Sequence, residues 1–176
     1  TSMELYPRPE RLLVELRSRG IADNAPVLVE MLSEIDQLHY HGTAALDIAI
    51  ERAEIGSASR VLEIGSGWGG CARWIAHRTG ASVTAVEMQA DFDRIGRSLT
   101  ARAGLDDRVM HFNADFLEFQ LAGPYTHVVS WLALFHIPDR PRYLGKIADA
   151  LEPTGVLWAE DLYARDPVPD NERAAF

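Results

Sequence analysis

The stretch "VLEIGSGWGG", residues 61–70, decides how this chain is read. Four glycines in ten residues follow a short apolar run, and bare backbone at such a turn lets a ligand come close. Two patterns fit at once. Gly65, Gly67 and Gly70 satisfy GxGxxG, the dinucleotide fingerprint, while Gly65, Gly67 and Gly69 satisfy GxGxG. The glycines alone leave the ligand open, and they are compatible with a tight strand-to-helix turn that binds nothing.

Outward from this turn, β-rich runs alternate with helical ones: "RVLEIG", "GGCARWIAHRTG", "SVTAVE", "ADFDRIGRSLTARAG", "RVMHFNAD", "YTHVVSWL", "PRYLGKIADALEPTG" and "VLWAEDLY". Strict alternation implies right-handed crossovers and a parallel sheet with helices on both faces. The expected class is α/β, a Rossmann-like doubly wound sheet, mainly parallel, of about five strands. Gly80, Gly104 and Gly155 stand where helices should hand over to strands, as left-handed stops. Asp139 in "IPDR" predicts a helix N-cap.

Residues 1–55 read as helices that cover a core of residues 56–176. Pro9 opens a helical pattern through Gly20, with Leu12, Leu13 and Leu16 on one face. Pro26 opens another, with Leu28, Met31, Leu32, Ile35 and Leu38 at helical spacing. A third runs from Thr43 to Ile55. At the far end, Asp170 predicts an N-cap for a helix that stops after one turn, so the chain reads as cut in mid-element. A fifth strand left at the sheet's margin would keep an unpaired edge, open to another segment or to a second copy in a homo-oligomer.

A chain of 176 residues is most simply one domain able to bury a real core. Its 47% hydrophobic and 24% charged residues are those of an ordinary globular protein. A net charge of −9 opposes nucleic acid and anionic membranes as main partners, since phosphate binding needs a basic surface. No apolar run has the length of a membrane span. Cys71 is the single cysteine, which rules out an internal disulfide and a cysteine cluster for zinc and makes a cytoplasmic setting the default. His39 and His41 in "HYH" supply at most two metal ligands, pointing to opposite faces of an extended segment, so no metal site is expected.

Charge narrows the ligand. Glu63 sits two residues before Gly65, at the carboxyl end of the first strand, where open α/β sheets bind ligands. A carboxylate beside a diphosphate is repelled by about 1–4 kcal/mol at contact, and beside an ammonium the sign reverses. Glu87 ends the second strand, where an acid accepts the hydroxyls of a ribose. Asp115, after the third strand in "NADF", suits an adenine amino group, with Phe116 offering a ring; its plain alternative is an N-cap. Three acids at three consecutive strand ends describe a pocket for adenosine that carries an amino acid and a positive centre. That ligand is S-adenosylmethionine, with S-adenosylhomocysteine as product.

The run from Arg60 to Tyr163 resembles the class I S-adenosylmethionine-dependent methyltransferases. "VLEIGSGWGG" matches their first motif, "VTAVE" the second, "NADF" the adenine-side motif, and "YTHVVSWLALFHIPD" the fourth strand with its loop. Upstream, "DQLHYHGTAALDIAI" is similar to small-molecule N-methyltransferases of the sarcosine/dimethylglycine and phosphoethanolamine type. The resemblance implies a cover over the cofactor, with Tyr40, Gly42 and Thr43 near the methionine moiety and Trp68 and His136 at the sulfonium and acceptor side. It implies a cofactor shell of Glu63, Gly65, Ser66, Gly67, Trp68, Gly69, Glu87, Met88, Ala114, Asp115, Phe116 and Trp131.

Leu132 departs from the acid of the phosphoethanolamine enzymes, and Thr154 from a common glycine. The family sheet has seven strands, and the last two are not found in this sequence. His136 is the candidate general base, because it follows the fourth strand at the carboxyl edge and titrates near neutrality. Tyr40 is its candidate partner, and Asp161 is a weaker acceptor-side candidate. The expected function is methyl transfer to a small molecule, foremost at an amine nitrogen. The rivals are a cofactor-binding module without catalysis and an NAD-linked oxidoreductase.

Overall fold

The computed structural model describes residues 7–162. The expected N-cap at Asp170 and the last residue of the motif run, Tyr163, lie outside the described residues.

Five short runs rich in Val, Ile and Leu form the sheet: β1 (Arg60–Ile64), β2 (Ser82–Glu87), β3 (Val109–Asn113), β4 (Tyr125–Trp131) and β5 (Leu151–Glu160). All pairs are parallel and the order is β3-β2-β1-β4-β5. The order in which successive strands are added therefore reverses between β1 and β4, and a crevice opens at their carboxyl ends. Parallel strands buried on both faces read as continuous apolar runs, and Val61, Leu62 and Ile64 are all buried.

Alternate residues fill two cores. Val61, Val83, Ala85 and Val129 face Ala72, Ile75 and Ala76 of α4 (Gly70–Thr79). Leu62, Ile64, Val86 and Val128 face Tyr143 and Ile147 of α6 (Arg140–Ala150). A third cluster joins Leu12 and Leu16 of α1 (Arg11–Ser18) and Leu32 of α2 (Val29–Ser33) to Phe92, Ile95 and Leu99 of α5 (Ala90–Arg102), around the indole of Trp68. The remaining helix, α3 (Gly42–Arg52), buries Leu46 and Ala49 beside Trp131.

Helix boundaries follow local chemistry where it is explicit. Gly80 ends α4 at φ +75°, and Gly104 follows α5 at φ +67°, both left-handed as expected. Asp139 caps α6, its Oδ1 accepting from the Arg142 N–H at 3.1 Å.

Two expectations fail. Gly155 is no helix stop: α6 passes directly into β5, and Gly155 lies inside that strand. Tyr125 pairs with Leu151 but His127 with Val156, so an irregularity in β5 absorbs the extra residues. The second helical pattern collapses to the five residues of α2, because the chain turns away after Ser33 to bring Asp36 into the protein. At the sheet margin, the outer edge of β5 pairs with no other strand among the described residues. No helix among those residues is long and apolar enough to cross a membrane.

Candidate functional site

The turn after β1 is built from left-handed backbone: Gly65, Gly67 and Gly69 have φ of +72°, +53° and +74°. The N–H groups of Gly65 and Ser66 both donate to the Val86 carbonyl, which folds the loop across the end of β2. A Cβ on Gly65 would stand 2.3 Å from the Cβ of Ala133 in the loop after β4. Gly65→Ala is therefore expected to destabilise the fold by roughly 2–5 kcal/mol, combining left-handed strain with overpacking. Urea unfolding measures it.

Two cavities open beside this loop. The larger, about 120 Å³, is lined by Glu87, Met88, Ala114, Asp115 and Phe116. Trp131 and His136 line it too. The smaller, about 30 Å³, lies against Asp36, His39, Glu63, Ser66 and Cys71. Leu38, Gly65, Gly67 and Trp131 line both, so the two spaces meet at the glycine loop and the Trp131 indole.

Electrostatics distinguish the two. Glu63 is 1% exposed, and its Oε2 has no hydrogen-bond partner. Burial pushes its carboxyl up to about 8, against the pull of the nearby Arg73 guanidinium. Ser66 Oγ and Trp131 Nε1, also buried, lack partners as well. Buried polar atoms left unmatched at one small cavity fit a polar, cation-bearing ligand group.

Glu87 is arranged differently. Its Oε1 accepts the Gln89 N–H at 2.7 Å and its Oε2 the Gly67 N–H at 2.8 Å. Burial raises its pKa and these backbone donors oppose the rise. The carboxylate is thus locked at the mouth of the larger cavity with lone pairs to spare, since each oxygen can accept twice.

Asp115 realises its plainer reading in part: its Oδ1 accepts the Leu117 N–H at 2.8 Å, while the residue still lines the larger cavity. Phe116 is mostly core, with the Lys146 ammonium 5.3 Å from its ring centre, and it too contributes to the cavity wall. His136 sits in a single 3-10 turn, Leu134–His136, against Phe135. Burial lowers its pKa while Asp161 opposes that, so the imidazole is neutral at neutral pH.

Five expected site residues line neither cavity. The Trp68 side chain reaches neither cavity: it stacks on Phe92 at 4.8 Å and donates Nε1–H to the Pro9 carbonyl, which pins α1 onto α5. Gly69 lines neither cavity, and its missing Cβ makes room for His111, whose Cε1 would otherwise be 2.5 Å away. Tyr40 is 58% exposed and lines neither cavity; its N–H donates to Glu160 Oε1 and its carbonyl faces His39 Nδ1. Gly42 and Thr43 begin α3 and also line neither.

Their place is taken by residues that the sequence did not mark as ligand-binding. Leu38 and His39 line the smaller cavity, and the His39 ring lies 5.1 Å from that of Trp131. Asp36 pairs with Arg73 at 2.9 Å, both fully enclosed. Arg73 also reaches the Gly96 carbonyl and Thr100 Oγ1. A signal was present: an arginine amid "GGCARWIA", a helix buried along this stretch, requires an acid partner. Among the described residues, no group of three or more His, Cys, Asp or Glu side chains is placed to hold a metal.

Residues 61–155 match the family described as "Methyltransferase domain". Among curated proteins, methyltransferase GfsG of Streptomyces halstedii is 29% identical over 139 residues, covering 78% of this chain and 50% of that protein. A sarcosine/dimethylglycine N-methyltransferase of Halorhodospira halochloris is 29% identical over 118 residues, covering 66% of this chain and 42% of its own. The chain thus spans half or less of the length of these relatives. Among solved structures, coclaurine N-methyltransferase bound to N-methylheliamine and S-adenosylhomocysteine superposes with a TM-score of 0.64 at 25% identity. It is matched over 74% of this chain and 39% of that one.

Proposed function

Because the chain belongs to the methyltransferase domain family, we propose that it binds S-adenosylmethionine and transfers its methyl group to a small-molecule acceptor, foremost an amine nitrogen. The observation that carries this reading is Glu63: a buried carboxyl with one oxygen unmatched, facing a small cavity beside a glycine loop. An α-ammonium there would draw the carboxyl into its ionised form and pair with it, whereas a diphosphate would be repelled by that ionised form.

The residues fit the group in two parts. Glu63, Ser66 and the indole N–H of Trp131 would hold its amino-acid end. Glu87 would accept from the ribose, and Met88, Ala114, Asp115 and Phe116 would flank the base. S-adenosylmethionine supplies, when bound, a methyl group on a positively charged sulfur. The protein's work is to fix that donor and an acceptor in line and to exclude water; proximity of this kind is worth about 7–11 kcal/mol.

His136 is the proposed base for an acceptor that arrives protonated, and its lowered pKa leaves it neutral and able to accept. The amine preference is supported by the N-methyltransferases among the relatives. Residues 1–55 serve as the cover and residues 56–176 as the binding core. A cytoplasmic setting accords with the single cysteine, and the outer edge of β5 is the proposed place of self-association or of contact with a partner segment.

Calorimetry tests the reading. The expected result is one-to-one binding of S-adenosylhomocysteine and none of NADH. Tight NADH binding without S-adenosylhomocysteine binding overturns it in favour of the oxidoreductase alternative.

A further inference from the structure

Residues 36–40 carry a continuous chain of polar contacts that crosses from α4 to β5 past the point where the cavities meet. It starts at Arg73, whose Nη2 donates to Asp36 Oδ2 at 2.9 Å. The other Asp36 oxygen accepts from Gln37 Nε2 at 2.8 Å. Gln37 Oε1 then faces His39 Nε2 at 2.9 Å and the Cys71 thiol at 3.5 Å. His39 Nδ1 lies 2.9 Å from the Tyr40 carbonyl and 3.7 Å from Glu160 Oε2, and the Tyr40 N–H donates to Glu160 Oε1.

The chemistry of this chain has one direction. An ionised Asp36 can only accept, so the Gln37 amide must turn its NH₂ toward it and its oxygen toward His39. His39 then donates its Nε2–H to that oxygen; its Nδ1 faces the Tyr40 carbonyl, which also only accepts, so both contacts are hydrogen bonds at once only in the imidazolium form. The ring is held with no exposed side-chain surface against Trp131. Gln37 itself lines neither cavity. Its neighbours Asp36, Leu38 and His39 do, and Leu38 Cδ1 would be 3.1 Å from a Cβ on Gly67.

We propose that Gln37 is a positioning residue for the amino-acid end of the nucleoside ligand. It joins the buried Arg73–Asp36 pair to His39 and Glu160, and so fixes residues 36–39 as one wall of the smaller cavity. This rests on the methyltransferase reading, because that cavity matters only if an amino-acid tail occupies it. The larger cavity, where the nucleoside would lie, depends on Gln37 far less: of residues 36–39 only Leu38 lines it.

Two probes separate the ends: S-adenosylhomocysteine, which has the tail, and 5′-methylthioadenosine, which lacks it. Gln37→Met removes the contacts to Asp36, His39 and Cys71, and Gln37→Glu keeps an acceptor for His39 while turning a carboxylate toward Asp36. In each folded variant, S-adenosylhomocysteine is expected to bind about tenfold more weakly, with 5′-methylthioadenosine within twofold of wild type. A purely structural role moves the melting temperature without this split. Unchanged affinity for both probes, or equal weakening of both, overturns the proposal. Wild-type protein that fails to bind S-adenosylhomocysteine overturns the methyltransferase reading, and this proposal with it.

Discussion

Glu63→Gln is expected to weaken S-adenosylhomocysteine binding by roughly 100–4,000-fold, as read by calorimetry. Breaking a buried charge pair by removing one partner is worth about 3–5 kcal/mol, and each 1.4 kcal/mol is tenfold in affinity. The amide keeps the shape of the side chain but cannot pair with an ammonium. The ligand-free protein responds in the opposite sense. The folded pKa of Glu63 is raised to about 8 from an ordinary 4.5, so its contribution to stability is full below about 4.5 and is lost as pH rises toward 8. Glu63→Gln removes that loss. Urea midpoints of the variant should be flatter than wild type across pH 5–8, and higher at its upper end. Affinity is lost where stability is gained, which marks a residue placed for its ligand and not for the fold.

Arg73→Met is expected to have the largest effect on folding, a loss of about 3–5 kcal/mol in urea unfolding, because it leaves Asp36 buried without its counter-charge. The informative comparison is the double variant Arg73→Met with Asp36→Leu. Replacing both members of a buried pair by apolar groups is often near neutral. The double variant should therefore recover much of the stability lost by Arg73→Met alone, a departure from additivity expected only of contacting groups. Its ligand affinity should not recover. Asp36 anchors the wall of the smaller cavity, and Arg73 supplies the positive charge that moderates Glu63. A double variant as unstable as the sum of its singles would show that Arg73 acts through Gly96 and Thr100 instead.

The β-α-β core was legible in the sequence because its signals are local. Apolar runs of five or six residues alternate with helices that end at Gly80 and Gly104, where left-handed backbone is needed. Glu63 and Glu87 were legible as residues at the crevice because each stands at or next to the carboxyl end of its strand, β1 or β2.

Residues 36–40 were not legible. What shapes them is a partner 37 residues away, Arg73, and another 120 residues from Tyr40, Glu160. Helical spacing through Leu38 is a weak preference beside a buried ion pair, and α2 stops accordingly. Trp68 and Tyr40 line neither cavity for a different reason. The backbone of the glycine loop and of the "HYH" segment lies at the site, but one side chain turns into the α1–α5 contact and the other into solvent. Motif position locates a Cα and leaves the direction of the side chain open. Gly155 was misread because helix and strand join without a turn, and the extra residues are taken up by a register shift within β5.

Fixed acids at the mouth of the sheet gripping an ammonium-bearing nucleoside are the core of this account, and proton linkage tests it most directly. At pH 7 the Glu63 carboxyl is mostly protonated in the free protein, and it must ionise to pair with an ammonium. Titration of S-adenosylhomocysteine in buffers of different ionisation enthalpy should therefore report release of about one proton per ligand bound, shrinking as pH passes 8 and absent in Glu63→Gln. Tight binding with no proton released at pH 7, or with the same release in Glu63→Gln, would contradict it.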